Sequence, residues 1–595
     1  MPRHLAIARA GVEPVFTTPA LAVQEFPGTP GPGQSTIRAM KMLQITLEGQ
    51  PLKVPSSSSI LALVASESDP GLGLRRPIAA LVNNRMVPLD SGLHEAAEVR
   101  LINALTEDGQ KVYRRGCILL LLEATRRLYP GVRLVVGQSL ADGYYFDWRG
   151  EPALGPAELG AVRTEMARQV EEDVPFEQER CGVQEARRRF EALGMPDRVS
   201  LLHTFWHETI RLIHLGSSVD IHHGPFPPST SYLQRFGLAP YPPGFVLRFP
   251  ESEEARDLDQ PPERTTKLYQ IHRESKDWNR TLGLENLGTL NRLVVHGGID
   301  EVIRISEGFH EKRIVEIARE IEERKDRVRI VLIAGPSSSG KTTFLKRLSV
   351  QLQVSGLRPV GLSIDNYYVD RECSPRDEHG KFDFESIEAI DLPLFNDHLV
   401  RLLKGEEVLT PRFDFESGLR CSQAKWSSMR IGPRDILVVE GIHGLNDRLT
   451  QDVPPANKFK IYVSALTQLC LDDANRIQTT DLRLLRRIVR DRLYRGYSAG
   501  QTLEAWPSVR RGEARNIFPF QESADEMFNT ALSYEVAVLK TYAERFLLEV
   551  SQEHPTYSEV HRLMKFLSLI VGIFPDKVPQ NSVLREFIGG SSFRY

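Results

Sequence analysis

Net charge is the first thing this sequence lacks. Its 75 Lys and Arg nearly balance 78 Asp and Glu, leaving a formal charge of −3 over 595 residues. No global basic field therefore marks a nucleic-acid binder, although a local basic groove stays open. Cysteine is scarce as well: Cys117, Cys181, Cys373, Cys421 and Cys470 are widely spaced, odd in number and form no CxxC pair. That argues against a disulfide framework and a zinc ribbon, and fits a reducing cytoplasm, the expected location. Long apolar runs are missing too. Cys117–Leu122 and Ile330–Ala334 fall far short of the ~20 residues that span a bilayer, so no membrane partner is expected. The opening stretch, residues 1–42, has no sustained apolar core or cleavage site. Rich in Pro, Gly, Ala and Thr, it reads as a disordered extension rather than a signal peptide, with Met40 and Met42 just ahead of the first convincing strand.

What is present is ordinary globular protein, 41% hydrophobic and 26% charged, too long for one core. Residues 43–105 read as a small β-rich unit: LQITLEG alternates, SSSSILALVASE resembles a capped helix, and IAALVNNRMVPLD is a hairpin around Asn83-Asn84. Residues 106–265 follow, with a helix expected over 111–128, a strand-rich stretch, and a charged helical region over roughly 156–195. Within this unit, 224–250 reads as loop and edge strand because of its many prolines. A helical connector covers 266–325. Over 326–545, apolar strand-like runs (RVRIVLIAG, RPVGLSID, RDILVVEGI, KFKIYVS) alternate with helical stretches, the pattern of a doubly wound α/β domain. Residues 546–595 form a C-terminal tail, whose packing the sequence leaves open.

The sharpest signal is GPSSSGKTT, which satisfies GxxxxGK[ST] after a buried strand and before a helix. In such a loop Gly335, Pro336, Ser337, Ser338, Ser339, Gly340, Lys341, Thr342 and Thr343 turn backbone N–H groups towards phosphate oxygens, aided by the positive end of the helix. Lys341 would reach the β- and γ-phosphates of ATP, and Thr342 would ligate Mg²⁺. The guanine-reading string NKxD is absent, which argues against a GTPase. Instead, acids end the next two strand candidates: Asp365 in SIDNYY and Glu440 in ILVVEGIHG. Both fall at the edge of the sheet where α/β ligands bind, one placed to take a proton and the other to hold a metal, in part through water. Acids can also merely cap strand ends. Further on, DLRLLRRIVRDRLYRG gathers Arg483, Arg486, Arg487, Arg490, Arg492 and Arg495 on one helix. Alone, an arginine helix is more often a solvated face; after a phosphate loop it fits a mobile lid that neutralises a transferring phosphoryl group.

Together these motifs resemble the uridine kinase and phosphoribulokinase family over about 326–540. The resemblance implies that Asp365 is the general base, that Asp391, ending FDFESIEAID, grips ribose hydroxyls, and that Glu440 lies near Mg²⁺. Arg483, Arg487 and Arg490 would act on the phosphoryl group, with Tyr368, Phe413 and Arg495 lining the acceptor pocket. Departures concentrate in that pocket. FDFESGLR puts Phe413 where the family has Tyr and Gly418 where it has a base-contacting His; Tyr497 ends the family's RGR, and Ile390 replaces a Phe.

Residues 43–105 resemble a TGS domain, and 110–230 resemble the editing domain of threonyl-tRNA synthetase, as in LYPGVRLVVGQSLADGYYFDW and VDIHHGPFPP. Its metal-like positions have become Arg115, Leu119, His222 and Phe226, and one His cannot hold a metal. The whole arrangement is similar to TGS-containing nucleoside kinases of bacteria. The expected fold is thus an α/β P-loop NTPase with a doubly wound parallel sheet, preceded by a β-grasp TGS domain and an α+β synthetase-editing-like domain. The expected function is an ATP- and Mg²⁺-dependent kinase for a nucleoside-like small molecule. The rival is an ATP-switched regulator that senses RNA or a nucleotide through its front half; a third reading keeps the kinase and makes the front half an allosteric domain for a small ligand. P-loop kinases of this type often form homo-oligomers, and no interface is legible here.

Overall fold

The computed structural model describes residues 41–64, 70–140, 142–254, 257–261, 266–376, 380, 382–414 and 417–594. Expectations for residues 1–40 and for Phe415 and Glu416 therefore lie outside the described residues. Met42, assigned above to the extension, already begins the first strand.

The first unit is a five-stranded sheet of order β2-β1-β5-β3-β4, formed by β1 (Met42–Leu47), β2 (Gln50–Pro55), β3 (Pro77–Val82), β4 (Arg85–Val87) and β5 (Glu98–Asn103). Asn83 and Asn84, at φ 48° and 58°, supply the left-handed turn that a two-residue hairpin between β3 and β4 needs. The helix read in SSSSILALVASE is short, α1 (Ile60–Leu63), capped by the Ser59 side chain.

The second unit starts with α2 (Glu107–Leu128), four residues earlier than periodicity suggested, because Thr106 caps it through Gly109 N–H. Next come β6 (Arg133–Leu140), β7 (Gly143–Arg149) and α3 (Pro156–Glu171). The expected helical region then breaks. After a turn at Asp173 (φ 53°) and Pro175, β8 (Glu177–Gly182) pairs antiparallel with β9 (Thr209–Leu215), with α4 (Val183–Ala192) and α5 (Pro196–His203) between them. Charged composition hid this strand, whose state is set by its partner. β10 (Ser218–Ile221) completes that sheet. A second correction concerns 224–250: β11 (Gly237–Tyr241) is an edge strand, but β12 (Gly244–Arg248) lies inside the order β11-β12-β7-β6.

Three connector helices follow: α6 (Thr266–Thr281), α7 (Leu287–His296) and α8 (Ile299–Glu323). They lead into a parallel sheet of β13 (Ile330–Ala334), β14 (Arg358–Ser363), β19 (Asp435–Glu440), β20 (Lys458–Ser464) and β21 (Glu526–Asn529), ordered β14-β19-β13-β20-β21. Two small antiparallel pairs, β15 (Val408–Thr410) with β18 (Ser427–Met429) and β16 (Phe413–Asp414) with β17 (Leu419–Arg420), stand outside it. All five residues of β13 are buried, and they alternate. Val331 and Ile333 join Ile317 of α8 and Phe344 of α9 (Lys341–Val354), while Ile330 and Leu332 join Phe395 of α10 (Leu392–Leu403). Helices on both faces of an all-parallel sheet explain why its strands read as unbroken apolar runs.

The remaining helices are α11 (Thr479–Tyr494), α12 (Ala499–Asn516), α13 (Glu535–Leu547), α14 (Tyr557–Leu567) and α15 (Arg585–Ile588). The tail does pack. One continuous core joins Leu201 of α5, Leu287 of α7, Leu485 of α11 and Leu539 of α13 to Leu563 of α14 and Phe587 of α15. Arg562 of α14 clamps Asp481 in the first turn of α11 at 2.7 and 2.8 Å, and Lys111 of α2 meets Glu559 at 2.9 Å. The tail thus ties the front half to the kinase half.

Candidate active site

The phosphate-loop motif sits at the C-terminal end of the central strand β13. Two backbone features make the loop. Ser338 and Gly340 take φ of 57° and 83°, which reverses the chain before α9. At Gly335 a Cβ would lie 1.9 Å from the Val463 carbonyl, so no side chain fits. From behind, three successive carbonyls are held outward: Ser337 O by Arg483 Nε (2.9 Å), Ser338 O by Arg486 (3.3 Å) and Ser339 O by the Thr530 hydroxyl (2.6 Å). Because each peptide unit is planar, fixing its carbonyl outward turns its N–H to the opposite side, the cradle side for Ser338 and Gly340, while Ser339 N–H donates to the Pro336 carbonyl at 3.2 Å.

This corrects the lid expectation for the first half of α11. Arg483 and Arg486 are buried ion pairs, with Glu513 of α12 and Glu535 of α13 respectively. They shape the loop from behind and are not free to close over a ligand. Further along the helix, Arg492 pairs with Glu549 at 3.0 Å. Arg487 donates to the Ser337 hydroxyl at 2.8 Å, and Arg490 and Arg495 gather with it around Asp491 at 3.2–3.5 Å. Burial together with Arg495 and Arg487 pushes the Arg490 guanidinium down to about 10, against the opposing pull of Asp491 and Glu586.

Lys341 opens α9 and holds only the Pro336 carbonyl, at 3.3 Å, among its described hydrogen bonds. Its charge acts on three carboxylates. Asp365, in the cleft beyond β14, is raised by burial against the pull of Lys341 and Arg495. Glu440, at the end of β19, is pushed up to about 7 by burial and by Asp365 and Glu586. Glu385 reaches about 7 by burial and by Glu513. Two carboxyls held near 7 beside a phosphate loop are a donor set short of a cation, which fits Mg²⁺. The buried hydroxyls of Ser338 and Ser339 have no partner among the described residues, which fits added phosphate oxygens.

The acceptor side holds the remaining candidates. Tyr368 packs on Phe413 (ring centres 5.6 Å apart) and donates to the Phe384 carbonyl at 3.1 Å; Asp365, Glu385 and Asp383 add to burial in raising its phenol. Asp391 is not free. One oxygen caps α10 through Leu394 N–H (3.1 Å), and the other meets Arg420 at 2.9 Å. Gly418 sits at φ 71° with a Cβ position 2.5 Å from Arg371 Nε, so a histidine there would collide.

Sequence reasoning missed four residues. Glu513 accepts from Ser337 N–H at 2.9 Å as well as from Arg483; Glu385 and Arg420 line the acceptor side. The fourth comes from the tail. Glu586 accepts from Thr343 N–H at 3.1 Å and from its hydroxyl at 2.7 Å, and Val583 lies where any Cβ on Gly340 would fall, 2.4 Å away. A carboxylate thus occupies one of the anion-binding amides of the helix start. Glu385 lay inside a quoted motif, but no periodicity marks Glu586.

Residues 330–537 match the model of the Phosphoribulokinase / Uridine kinase family. That stretch is a kinase domain of this family. The N-terminal region is similar to threonine–tRNA ligases: 30% identical over 198 residues to the one from Desulforamulus reducens (33% of this chain, 31% of that protein). The ligase from Carboxydothermus hydrogenoformans is 31% identical over 176 residues (29% of this chain, 28% of that protein). The chain spans about a third of the length of these curated relatives. Among solved structures, one described as a possible uridine kinase from Bacillus stearothermophilus shows 17% identity and a TM-score of 0.23, over 35% of this chain and 100% of that one. D-glycerate 3-kinase from Cryptococcus neoformans shows 15% identity and a TM-score of 0.20, over 45% and 89%. The kinase domain is thus joined to a synthetase-like front half in which His222 is the one ligand-capable side chain at the four metal-like positions. Among the described residues no group of three or more His, Cys, Asp or Glu could hold a metal ion. No described helix is long and apolar enough to cross a membrane.

Proposed function

We propose that this chain transfers the γ-phosphoryl group of ATP to a hydroxyl of a nucleoside-like small molecule. The observation that carries the reading is one lysine, Lys341, set between a preformed phosphate loop and the strand-end acids Asp365 and Glu440. The loop amides and Lys341 bind and orient the triphosphate. Thr342 and Glu440 hold Mg²⁺, which when bound neutralises phosphate charge. Asp365 takes the proton of the acceptor hydroxyl; that oxygen bonds to the γ-phosphorus as the bond to the β,γ-bridging oxygen breaks, and ADP leaves. Arg487 and Arg490 face the charge that develops on the transferring group. Tyr368, Phe413 and the Asp391–Arg420 pair line the acceptor side, with Arg495 nearby.

The altered positions speak against a copied uridine pocket. With glycine at a positive-φ position 418 beside Arg371, and Asp391 paired with Arg420, the residues offered to a base and a sugar differ from those the family resemblance implies. The test is ADP release from Mg-ATP against a panel of nucleosides, sugars and other small alcohols, with Lys341→Ala as blank. Acceptor-dependent turnover on one compound class supports the reading. ATP hydrolysis indifferent to every acceptor would replace it with a nucleotide-driven switch.

A further inference from the structure

The second cavity of interest lies far from β13 in sequence terms, where the first unit, the second unit and α14 meet. It encloses about 640 Å³, the size range of mononucleotide and drug-like ligands. It lies beside the expected editing position, since Arg115 and His222 line it. Its floor is mixed: Met86, Val87, Phe205 and Ile210 are apolar, and cations rise above them from four segments.

The charge balance of this cleft is lopsided. Lys111 and Arg562 are neutralised by Asp108, Glu559 and Asp481. Arg85 of β4, Arg115 of α2, Arg211 of β9 and Lys565 of α14 have no carboxylate partner among the described residues. Arg115 bonds only the Pro225 carbonyl (2.9 and 3.1 Å), and Lys565 bonds the His222 carbonyl (2.6 Å). The four feel one another: burial, then Arg115, Arg211 and Arg85, press the Lys565 ammonium down to about 7. Like charges gathered in a half-buried cleft oppose folding unless an anion joins them.

A second observation points the same way. His222 is 4% exposed and lines the cleft, yet its Nε2 is buried with no partner among the described residues. Burial, Lys565, Arg115 and Arg211 keep the ring neutral, with its pKa near 2. Its Nδ1 faces the Lys565 ammonium at 3.5 Å, so the tautomer that fits carries its proton on Nε2, a donor awaiting an acceptor.

We propose that this junction cleft binds an organic phosphate of mononucleotide size with at least two negative charges, held by Arg85, Arg115, Arg211, Lys565 and His222 Nε2. The apolar floor takes its uncharged body. The site is separate from the phosphate loop, and its walls come from all three parts of the chain, so the intact protein is the object to test.

The probe is inorganic pyrophosphate, then ADP, titrated calorimetrically into the full chain at pH 7 without divalent cations. A parallel series carries Lys341→Ala, which weakens the phosphate-loop event and leaves the cleft event. In that background Arg211→Ala with Lys565→Ala should weaken the remaining binding at least about tenfold, as expected for the loss of two charge-assisted bonds. Arg187→Ala with Arg188→Ala, which removes two charges on α4 outside the cleft lining, should not. Lys565 faces Arg85, Arg115, Arg211, His222, His561 and Arg562, and the anion favours its charged form. Binding above pH 7 should therefore take up a proton, an uptake lost with Lys565→Ala. The unliganded double variant should melt no lower than the parent, since it sheds mutual repulsion; a lower melting temperature would mean these cations are structural and would sink the proposal. So would a single pyrophosphate event that vanishes with Lys341→Ala. Retention of a tRNA-sized RNA but of neither small anion would assign the cleft to a nucleic-acid end instead.

Discussion

The molecule holds two positively charged pockets that are built in opposite ways. At the phosphate loop the positive field comes from backbone N–H groups, Lys341 and the row Arg487, Arg490 and Arg495, and carboxylates surround it: Asp365, Glu440 and Glu385 in front, Glu513 and Glu535 behind, Glu586 from the tail. At the junction cleft the field comes from side chains on four separate segments, and four of them have no described counter-charge. The first pocket is built on nine consecutive residues whose loop is clamped from behind. The second exists only when three parts of the chain pack together, and its charges repel until something fills it. A backbone-built site announces itself as a motif; a side-chain-built site does not.

The largest test of this contrast is at the first pocket. Asp365→Asn should cut kcat by ~10²–10⁴, the usual size of general-base catalysis. KM for ATP should stay within a few-fold, because Asp365 makes no part of the loop. Near-full turnover would mean that Asp365 is not the base and move proton abstraction to another carboxyl under the influence of Lys341, such as Glu385.

Next in size is the tail carboxylate. Glu586→Gln should tighten ATP binding up to about tenfold, since the ionised side chain competes for the Thr343 amide and hydroxyl with charge-assisted bonds. Nucleotide titration of the parent and the variant reads this directly. Unchanged affinity would show that Glu586 and nucleotide do not compete.

A similar magnitude is expected along pH. Glu440 is protonated up to about 7 in the empty protein, so binding of Mg²⁺ must release that proton. Apparent Mg²⁺ affinity should climb by up to about tenfold per unit below pH 7 and flatten above it, and Glu440→Gln should abolish the slope. With folded pKa values above the ordinary 4.5, Glu440 and Glu385 cost stability as the pH rises from about 4.5 through 7. Thermal unfolding of the metal-free protein should weaken over that window and recover in part with either residue changed to Gln.

The smallest effect is at the acceptor side. Gly418→Ala forces a Cβ onto Arg371 at positive φ and should cost about 1–2 kcal/mol in denaturant unfolding. No cost would mean the β16–β17 turn adjusts freely and the pocket is less defined than its geometry suggests.

Local rules carried the kinase half a long way. The strand-loop-helix around Gly335–Thr343, four of the five parallel strands and the strand-end positions of Asp365 and Glu440 follow from apolar runs, glycine and turn chemistry within a few residues; the edge strand β21 does not. Reading failed where partners are distant. Arg483 looked like a lid arginine because its helix is basic, yet burial against Glu513, thirty residues on, makes it part of the loop's scaffold. Glu177–Gly182 looked helical because it is charged; pairing with β9 makes it a strand. Asp391, expected to grip a sugar, has a partner that local reading did not name, Arg420.

By itself, then, the sequence determined where the phosphate loop lies and most of the parallel sheet that presents it, because nine adjacent residues and short apolar runs mark both locally. Tertiary structure alone decided which arginines are spent, that the tail brings Glu586 to the phosphate loop, and that Arg85, Arg115, Arg211 and Lys565 meet in one cleft. The reason is physical: charge and burial depend on what lies within a few ångströms in space, and for these residues those neighbours lie tens to hundreds of positions away along the chain.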